Sequence, residues 1–394
     1  MTERMDIRVH ASAQRRLESG HRWVFSNEIS NSLSGYEPGQ LVDVRGDHKK
    51  YLGIGYVNPH ALIAVRLLAK PGVEIDEEFF RGQFEAAFSW RNAMYPGLET
   101  LRLVHGDPDG LPGLVIDKYA DHLSVQVLTS GMEAMKGLWL PPLVDILKPA
   151  CVIARNDTDF REYEHLPQEV TVLYGEASEL VEVDELGVKY AVNPLSGQKT
   201  GLFLDQKENR ARLDTFVRDK DVLDCFCYAG GWGIRAALSG AQRVMCIDSS
   251  ETALDMARRN AALNGVEDRC TFEKDDVFDA LRMLAVNEEQ FDVVVLDPPA
   301  FAKRGSQVKQ ATKGYRDINI QALKLIRPGG MLVTCSCSHH INADRFRTIL
   351  TQAGRSAQRT LQLLEQRGAA SDHPVLAGMR ETEYLKCLIF RVAN

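Results

Sequence analysis

The stretch Val222-Leu223-Asp224-Cys225-Phe226-Cys227-Tyr228-Ala229-Gly230-Gly231-Trp232-Gly233 decides the fold of this chain. An apolar, β-prone run reaches Asp224, a glycine pair follows, and a helix-forming run begins at Ile234. This order predicts a buried strand, a tight turn and a helix N-terminus, which together open a βαβ unit. The glycines allow a sharp turn and a close approach to a ligand, because they carry no Cβ.

A second predicted strand, Arg243–Asp248, ends in a carboxylate. A carboxylate at that position can accept hydrogen bonds from ribose hydroxyls, so the two strands indicate a cofactor that contains a nucleoside. A nicotinamide dehydrogenase typically shows G-x-G-x-x-G, whereas the turn here reads G-G-x-G. On this stretch alone, a dehydrogenase and an α/β sheet without a ligand both stay open.

Polar groups follow three later strands of the same region. Asp275-Asp276 follows a predicted strand at 270–274, and Asp297-Pro298-Pro299-Ala300-Phe301 follows one at 291–296. Cys335-Ser336-Cys337-Ser338 ends a strand that begins at Met331, after a predicted helix over 317–325. Alternating strands and helices predict a doubly wound parallel sheet, with ligands at the carboxyl ends of the strands. A sheet without a ligand explains neither the Asp-Pro-Pro loop nor the thiol at a strand end.

The length of 394 residues is sufficient for two or three domains. Residues 1–72 contain short β-prone segments between turn residues, which predicts a compact β-barrel. Residues 73–192 read as an α+β domain that begins with a helix from Glu77 to about Met94. Residues 193–394 form the α/β domain, in which Asp205 is the expected N-cap of a helix from Gln206 to Val217.

Charge and hydropathy narrow the class of protein. The formal net charge is −7, so nucleic-acid binding requires a local basic patch. The segment 301–316 provides one, because it contains five basic residues and no acidic one: Lys303, Arg304, Lys309, Lys313 and Arg316. This segment directly follows the Asp-Pro-Pro loop, so we interpret it as a nucleic-acid contact rather than a merely solvated face. The absence of a long apolar run and of a signal-peptide pattern predicts a cytoplasmic protein without a membrane span.

The eight cysteines include two Cys-x-Cys pairs, at 225/227 and 335/337. Both pairs fall in predicted central strands, where free, buried thiols are common and disulfides are rare. Zinc ligands usually lie on turns at wider spacing. We therefore expect inert or catalytic thiols and no metal site, with Cys335 buried by strand alternation.

Taken together, these motifs make the whole chain resemble the RlmI-type ribosomal RNA large-subunit cytosine-C5 methyltransferases, which are class I S-adenosylmethionine-dependent enzymes. The following segments carry the resemblance: His21-Arg22-Trp23-Val24-Phe25, Gly53-x-Gly55-x-x-Asn58-Pro59, Gly106-Asp107-x-Asp109-Gly110-Leu111-Pro112-Gly113, Lys199-Thr200-Gly201-x-Phe203-Leu204-Asp205-Gln206, Asp224-x-Phe226-x-Tyr228-x-Gly230-Gly231, Asp297-Pro298-Pro299-x-Phe301, Ser336-Cys337-Ser338 and Asp372-His373-Pro374.

The resemblance implies a Rossmann-like methyltransferase domain, preceded by an N-terminal PUA-like RNA-binding β-barrel and a central α+β domain. It implies S-adenosyl-L-methionine as cofactor and 23S ribosomal RNA as partner, and it is compatible with a homodimer. Asp248 would hold the ribose hydroxyls and Asp276 the adenine edge. The remaining residues implied to line the cofactor cleft are Lys199, Thr200, Phe203, Asp224, Tyr228, Gly230 and Gly231.

The implied reaction begins when the Cys337 thiolate adds to C6 of cytosine and makes C5 nucleophilic. Asp297 is the candidate for holding the edge of the base. The target base must be unstacked to meet both the thiol and the methyl group. The chain departs from better-known RNA cytosine-C5 enzymes in having no thiol after Asp297-Pro298. It also carries His339-His340 after Ser338; we expect these histidines to be exposed, although either could deprotonate a thiol.

Two other functions stay open. The Asp-Pro-Pro-x-Phe loop resembles the loop with which RNA or protein N-methyltransferases hold an exocyclic amine for direct transfer, and such an enzyme has no use for Cys337. A non-catalytic RNA-binding or assembly protein with the same fold would not bind S-adenosylmethionine.

Overall fold

The computed structural model describes residues 4–197 and 200–394. The chain divides into two compact units. Unit 1 consists of Met1–Val183, Val192–Leu204 and Ser371–Thr382, and unit 2 consists of Asp184–Ala191, Asp205–Ala370 and Glu383–Asn394. The domains expected at 1–72 and 73–192 thus share most of one unit, and the domain expected at 193–394 is divided between the two.

The first part of unit 1 is a five-stranded sheet with the order β1-β3-β4-β5-β2. Its elements are β1 (Met5–Arg8), α1 (Ala11–Glu18), β2 (Trp23–Phe25), β3 (Leu41–Arg45), β4 (Tyr51–Val57) and β5 (Ile63–Ala69). In β3 the apolar Val42 and Val44 are buried and alternate with more exposed neighbours, as expected for a strand with one face on a core. The short strands predicted for this region are therefore present.

The second part of unit 1 is a five-stranded sheet with the order β10-β9-β8-β7-β6. Its elements are α2 (Glu77–Met94), β6 (Thr100–His105), β7 (Leu114–Tyr119), β8 (His122–Val127), α3 (Ser130–Ala134), α4 (Lys136–Leu147), β9 (Cys151–Arg155) and β10 (Val170–Gly175). The helix predicted from Glu77 is confirmed, and Asp76 caps it by accepting from the Phe79 amide at 2.9 Å. Phe80 and Phe84 of α2 share a core with Tyr56 of β4, so the two sheets pack as one unit.

Unit 2 is built on a seven-stranded sheet. Two strands precede it and form a separate pair, β11 (Val181–Glu185) and β12 (Val188–Val192). The elements that follow are α5 (Lys207–Ala211), β13 (Asp221–Cys225), α6 (Gly231–Leu238), β14 (Arg243–Asp248), α7 (Glu251–Leu263), β15 (Cys270–Lys274), α8 (Val277–Val286), β16 (Phe291–Leu296), α9 (Val308–Leu325), β17 (Ile326–Ser336), α10 (Ala343–Ser356), β18 (Leu361–Arg367) and β19 (Lys386–Val392).

The strand order of this sheet is β15-β14-β13-β16-β17-β19-β18. The five strands from β15 to β17 are parallel, and β19 runs antiparallel to both of its neighbours. Leu223, Val294 and Leu332 on the central strands are fully buried. Burial on both faces explains why these strands are continuously apolar. The carboxyl ends of β13, β14, β16 and β17 consequently share one edge, which carries the polar groups singled out above.

Three details of the sequence prediction are wrong. The sheet is not wholly parallel, because β19 inserts antiparallel between β17 and β18. Helix α9 begins at Val308 rather than at 317, since Ala311 and Tyr315 extend its buried face through the basic segment. The helix predicted from Gln206 begins at Lys207, with Gln206 rather than Asp205 at the N-cap position, and the Asp205 carboxylate accepts from the Tyr384 hydroxyl at 2.6 Å.

The late Asp372-His373-Pro374 motif, which the resemblance implies to be part of the catalytic domain, lies among the residues of unit 1, and its assignment to that domain stays a prediction. The Asp372 carboxylate accepts from the Arg102 amide at 2.8 Å, and its carbonyl accepts from the Arg91 guanidinium at 2.9 Å. These bonds attach the segment to α2 and β6.

The cysteines behave as expected in their burial. Cys225, Cys227 and Cys335 are buried free thiols, whereas Cys337 is half-buried. Within residues 4–197 and 200–394, no group of three or more potential metal ligands clusters. In the same residues, no helix is long and apolar enough to span a membrane.

Candidate active site

The turn after β13 is present as its sequence predicts, and its backbone is strained at two residues that are not glycine. Phe226 and Tyr228 have positive φ of 62° and 48°, and Gly230 has a φ of 81°. A Cβ at Gly230 would lie 2.8 Å from Cδ1 of Ile234, so the position requires glycine for its space as well as its conformation. Helix α6 then begins at Gly231. Its first amide groups therefore open beside the end of β13, as in nucleotide-binding turns.

Asp224, at the end of β13, is a fully buried carboxylate. Its Oδ2 accepts from the Gly233 amide at 2.8 Å, while its Oδ1 has no hydrogen-bond partner within the described residues. Burial raises the pKa of Asp224 to about 8, the Gly233 bond opposes this, and the charges of Asp297 and Asp248 add to it. A buried acceptor without a partner is rare and marks a group that a cationic ligand can satisfy.

Asp248, at the end of β14, holds the turn and keeps acceptor capacity. Its Oδ2 accepts from the Tyr228 amide and its Oδ1 from the Ser250 amide, each at 2.9 Å. Each carboxylate oxygen has a second lone pair, so ribose hydroxyls can still donate to it. Tyr228, which the resemblance implies to line the cofactor cleft, thus also contributes through its main chain, because its amide holds the Asp248 carboxylate.

Asp276 is an exposed residue at the N-terminus of α8. Its Oδ1 accepts from the Phe278 amide at 2.8 Å and from the Asp279 amide at 3.3 Å, as an N-cap does. Its Oδ2 makes no hydrogen bond within the described residues and is available to the amino group of adenine. We did not predict this capping role from the sequence, although an Asp directly before a helix-forming run is the usual signal of an N-cap.

Asp297, after β16, accepts from two side chains. Gln206 Nε2 donates to its Oδ1 and Trp232 Nε1 to its Oδ2, both at 2.9 Å. Burial raises the pKa of Asp297 above its usual range, and the bond from Trp232 opposes that rise. The sequence assigned no role to Gln206 or Trp232, although Trp232 stands between the glycines of the opening motif.

Cys337 follows the end of β17 and is the one half-buried thiol among the eight cysteines. Its thiol donates to the Pro298 carbonyl at 3.9 Å, which brings it to the loop that begins with Asp297. Around it, the Tyr315 hydroxyl joins Ser336 Oγ at 3.0 Å and Ser338 Oγ at 2.9 Å. The two serines that flank Cys337 are thereby fixed to α9, which holds the thiol in place.

The loop from Pro298 to Phe301 is anchored by aromatic packing. The ring of Phe301 lies 4.6 Å from that of Tyr315, 5.9 Å from that of Phe278 and 6.4 Å from that of Phe226. Gly314 makes this possible, since a Cβ there would lie 3.2 Å from the Phe301 ring. Phe301 therefore packs on three protein rings and fixes the loop that begins with Asp297.

The five basic residues of the segment 301–316 are exposed. Lys309, Lys313 and Arg316 lie at positions i, i+4 and i+7 of α9 and so share one face, opposite the buried Tyr315. Neither these three nor Arg304 forms an ion pair within the described residues. A basic face without carboxylate partners is suited to phosphate groups.

Three cofactor-binding residues implied by the resemblance are not among the groups that unit 2 brings together. Lys199 lies outside the described residues. Thr200 and Phe203 belong to unit 1, where the Thr200 hydroxyl donates to Asp117 at 2.6 Å. Their assignment to the cofactor stays a prediction.

The residues of unit 2 fit S-adenosylmethionine. The cofactor offers ribose hydroxyls, an adenine amino group and positive charge, and the site offers Asp248, Asp276 and the unpartnered Oδ1 of Asp224. The glycine turn removes the Cβ atoms that would obstruct a ligand at α6.

Comparisons with known proteins show the family of the chain and its cofactor. Residues 157–391 match the family model of an S-adenosylmethionine-dependent methyltransferase, and residues 7–70 match a PUA-like domain. A ribosomal RNA large subunit methyltransferase I of Shewanella denitrificans is 40% identical and covers 98% of this chain and 99% of its own length. The protein of the same name from Tolumonas auensis is 37% identical over 94% of this chain and 95% of its own.

Solved structures show the same fold. A crystal structure of a proposed methyltransferase complexed with SAH has a TM-score of 0.86 at 21% identity, and the match covers 98% of this chain and 100% of that one. A proposed S-adenosylmethionine-dependent methyltransferase from Streptococcus mutans has a TM-score of 0.85 at 20% identity, with the same coverage. At this identity the likeness concerns the fold alone.

Proposed function

This chain belongs to the ribosomal RNA large subunit methyltransferase I family of S-adenosylmethionine-dependent enzymes, and we propose that it methylates C5 of a cytosine in 23S ribosomal RNA through a covalent adduct on Cys337. The observation that carries the proposal is the place of Cys337. It is the half-buried thiol of the chain, at a strand end on the ligand-binding edge, and it contacts the loop of Asp297.

The chemistry explains why a thiol is needed there. Cytosine C5 is a weak nucleophile, and bound S-adenosylmethionine supplies an electrophilic methyl group. The Cys337 thiolate forms a bond to C6, the C5–C6 double bond opens, and N3 takes up a proton. C5 then forms its bond to the methyl carbon while the bond between that carbon and the sulfonium sulfur breaks, so that S-adenosylhomocysteine is the leaving group. Loss of the C5 proton re-forms the C5–C6 double bond and expels the thiolate, and N3 returns the proton that it took up, so the enzyme and the aromatic base are restored.

Asp297 is proposed to support the base during the addition. Its raised pKa allows it to carry a proton towards the N3 and N4 edge, where negative charge develops when the thiolate adds. Gln206 and Trp232 hold its two oxygens and so orient the carboxyl group. The thiol and the carboxyl group approach the base from neighbouring strand ends, β17 and β16.

The RNA is proposed to run over the basic face of α9 and the loop before it, with Lys309 and Lys313 of the helix and Lys303 and Arg304 of the loop as phosphate contacts. The PUA-like match at residues 7–70 supports RNA as the partner class. A cytoplasmic location and a homodimer remain predictions that follow from this assignment.

Cys337→Ala tests the proposal, with Cys335→Ala as the matched control. Cys335 lies two residues away but is buried, so its loss leaves the site thiol in place. We expect Cys337→Ala to abolish the formation of 5-methylcytosine in 23S RNA and Cys335→Ala to retain it. An N-methyltransferase would stay active without Cys337 and would yield a methylated amine. A non-catalytic protein would show no binding of S-adenosylmethionine by calorimetry.

A further inference from the structure

Lys386 is a buried lysine that packs against residues 336–338, the segment that is called the Cys337 turn below. It begins β19, where it pairs in register with Ser336 of β17, and it is 4% exposed. Its ammonium donates to the carbonyls of Ser338 and Tyr384, each at 2.7 Å. The positive charge is thus held against the main chain that carries the thiol.

This ammonium lacks a carboxylate counter-ion. Within the described residues, no Asp or Glu forms an ion pair with Lys386. Burial lowers the pKa of Lys386 to about 8, while the charges of Cys337 and Glu383 raise it. A buried charge without a partner is costly, so a lysine at this position needs an anion to balance it. Glu383 is exposed and screened by water, which leaves the thiolate of Cys337 as the balancing charge.

We propose that Lys386 is the cation that stabilises the thiolate of Cys337. The thiol releases its proton to solvent, and the resulting negative charge is balanced by the ammonium beneath the turn. Lys386 is a positioning residue, because it acts through Cys337 and contacts neither the base nor the cofactor in this scheme. The inference rests on the proposed role of Cys337 and adds the source of its reactivity.

Among the described residues, two other titratable groups near the pair, Tyr315 and Asp297, do not supply a positive charge. Tyr315 faces Cys337 from α9, and its pKa is raised by burial, so it stays neutral. Asp297, after β16, carries negative charge when ionised and therefore opposes a thiolate. His339 follows the turn and lies on the exposed side, with its ring 5.7 Å from that of Tyr384.

The test is the pH dependence with which iodoacetamide alkylates Cys337 in the full chain. The other seven thiols are buried, so Cys337 reacts first, and Cys337→Ala gives the background. Lys386→Gln keeps a hydrogen-bond donor but removes the charge, whereas Lys386→Arg keeps the charge. We expect the midpoint of the profile to rise by about one unit or more in Lys386→Gln and to return towards the wild-type value in Lys386→Arg.

The same shift lowers methyl transfer at neutral pH about tenfold, because the thiolate fraction falls tenfold for each unit. An unchanged midpoint in a folded Lys386→Gln variant would overturn the proposal. If that variant does not fold, the pairing is tested by titrating Lys386 itself, which NMR can follow in protein labelled at its lysines. Cys337→Ser should lower the pH at which Lys386 loses its proton, and an identical titration in both chains would contradict the pairing. If Cys337→Ala still methylates RNA, the proposed function fails, whatever the alkylation shows.

Discussion

The indole Nε1 of Trp232 donates a 2.9 Å hydrogen bond to Oδ2 of Asp297, and so joins the first turn of α6 to the loop after β16. Trp232 belongs to the turn that we propose to bind the cofactor, and Asp297 begins the loop that carries the proposed catalytic carboxyl group. A substitution of Trp232 is therefore expected to affect both the turn and the loop.

Trp232→Phe keeps the buried ring and removes the donor. A hydrogen bond to a charged group contributes about 1.5 to 3 kcal/mol, and we expect a loss of stability within that range. We also expect methyl transfer to fall roughly tenfold or more, because Asp297 loses its orientation. Urea unfolding and single-turnover kinetics measure the two effects. Wild-type rates in the variant would show that the bond does not position Asp297.

Asp224→Asn should remove a pH dependence of stability. The pKa of Asp224 is raised to about 8 in the folded chain, whereas an unfolded carboxyl titrates near 4. Between these values the folded state holds a proton that the unfolded state does not, so stability falls as the pH rises through this window, by about 1.4 kcal/mol per unit of pKa difference.

Urea unfolding of the cofactor-free protein at about pH 5 and about pH 8 measures this dependence. The wild type should lose more stability than Asp224→Asn over the interval, since Asn does not titrate. Parallel curves for the two chains would mean that Asp224 is ionised in the fold.

Gly230→Ala should impair both folding and cofactor binding. The added Cβ meets Ile234 at 2.8 Å, and the φ of 81° costs an L-residue about 1 to 2 kcal/mol. Gly187→Ala is the matched control, because Gly187 has a φ of 86° with open space around it. We expect the control to lose only the stability that the positive φ costs an alanine. It should bind S-adenosylmethionine normally in calorimetry. Equal affinity in the two variants would argue against a cofactor at this turn.

Lys309→Ala combined with Lys313→Ala should weaken RNA binding and reduce its salt dependence. For each lysine that no longer neutralises a phosphate, the slope of log K against log salt falls by about 0.7 to 0.9. Lys324→Ala is the control, since Lys324 is exposed in the last turn of the same helix. Titrations of RNA at several salt concentrations give the slopes. Equal slopes for the wild type, the double variant and the control would show that α9 does not contact RNA.

The sequence predicts those parts of the site that depend on local signals. The strand, glycine turn and helix around Asp224, and the carboxylates that end the next strands, lie where the alternating pattern places them. Continuous apolar runs and turn residues define these elements without reference to distant parts of the chain. Cys335 is buried as predicted, but strand alternation is not the reason, because residues 332–336 of β17 are all buried.

The hydrogen-bond partners of the site residues could not be predicted without the fold. Trp232 and Asp297 are 65 residues apart, and Lys386 and Ser338 are 48 apart, so only the sheet order brings them together. The antiparallel insertion of β19, which places Lys386, breaks the alternation on which the parallel prediction relied. A lone lysine before the apolar run Cys387-Leu388-Ile389 was the available signal. The start of α9 was missed because basic residues at its exposed positions obscured the buried stripe.

The central claim is the covalent bond between Cys337 and C6 of the target cytosine. The most direct measurement uses 23S RNA that contains 5-fluorocytosine, in which the fluorine at C5 prevents the proton loss that releases the enzyme. In the presence of S-adenosylmethionine, we predict a denaturation-resistant adduct whose methylated nucleotide maps to Cys337. The adduct should form with Cys335→Ala and disappear with Cys337→Ala. A wild-type protein that methylates ordinary RNA but yields no adduct, or an adduct on another residue, would contradict the account.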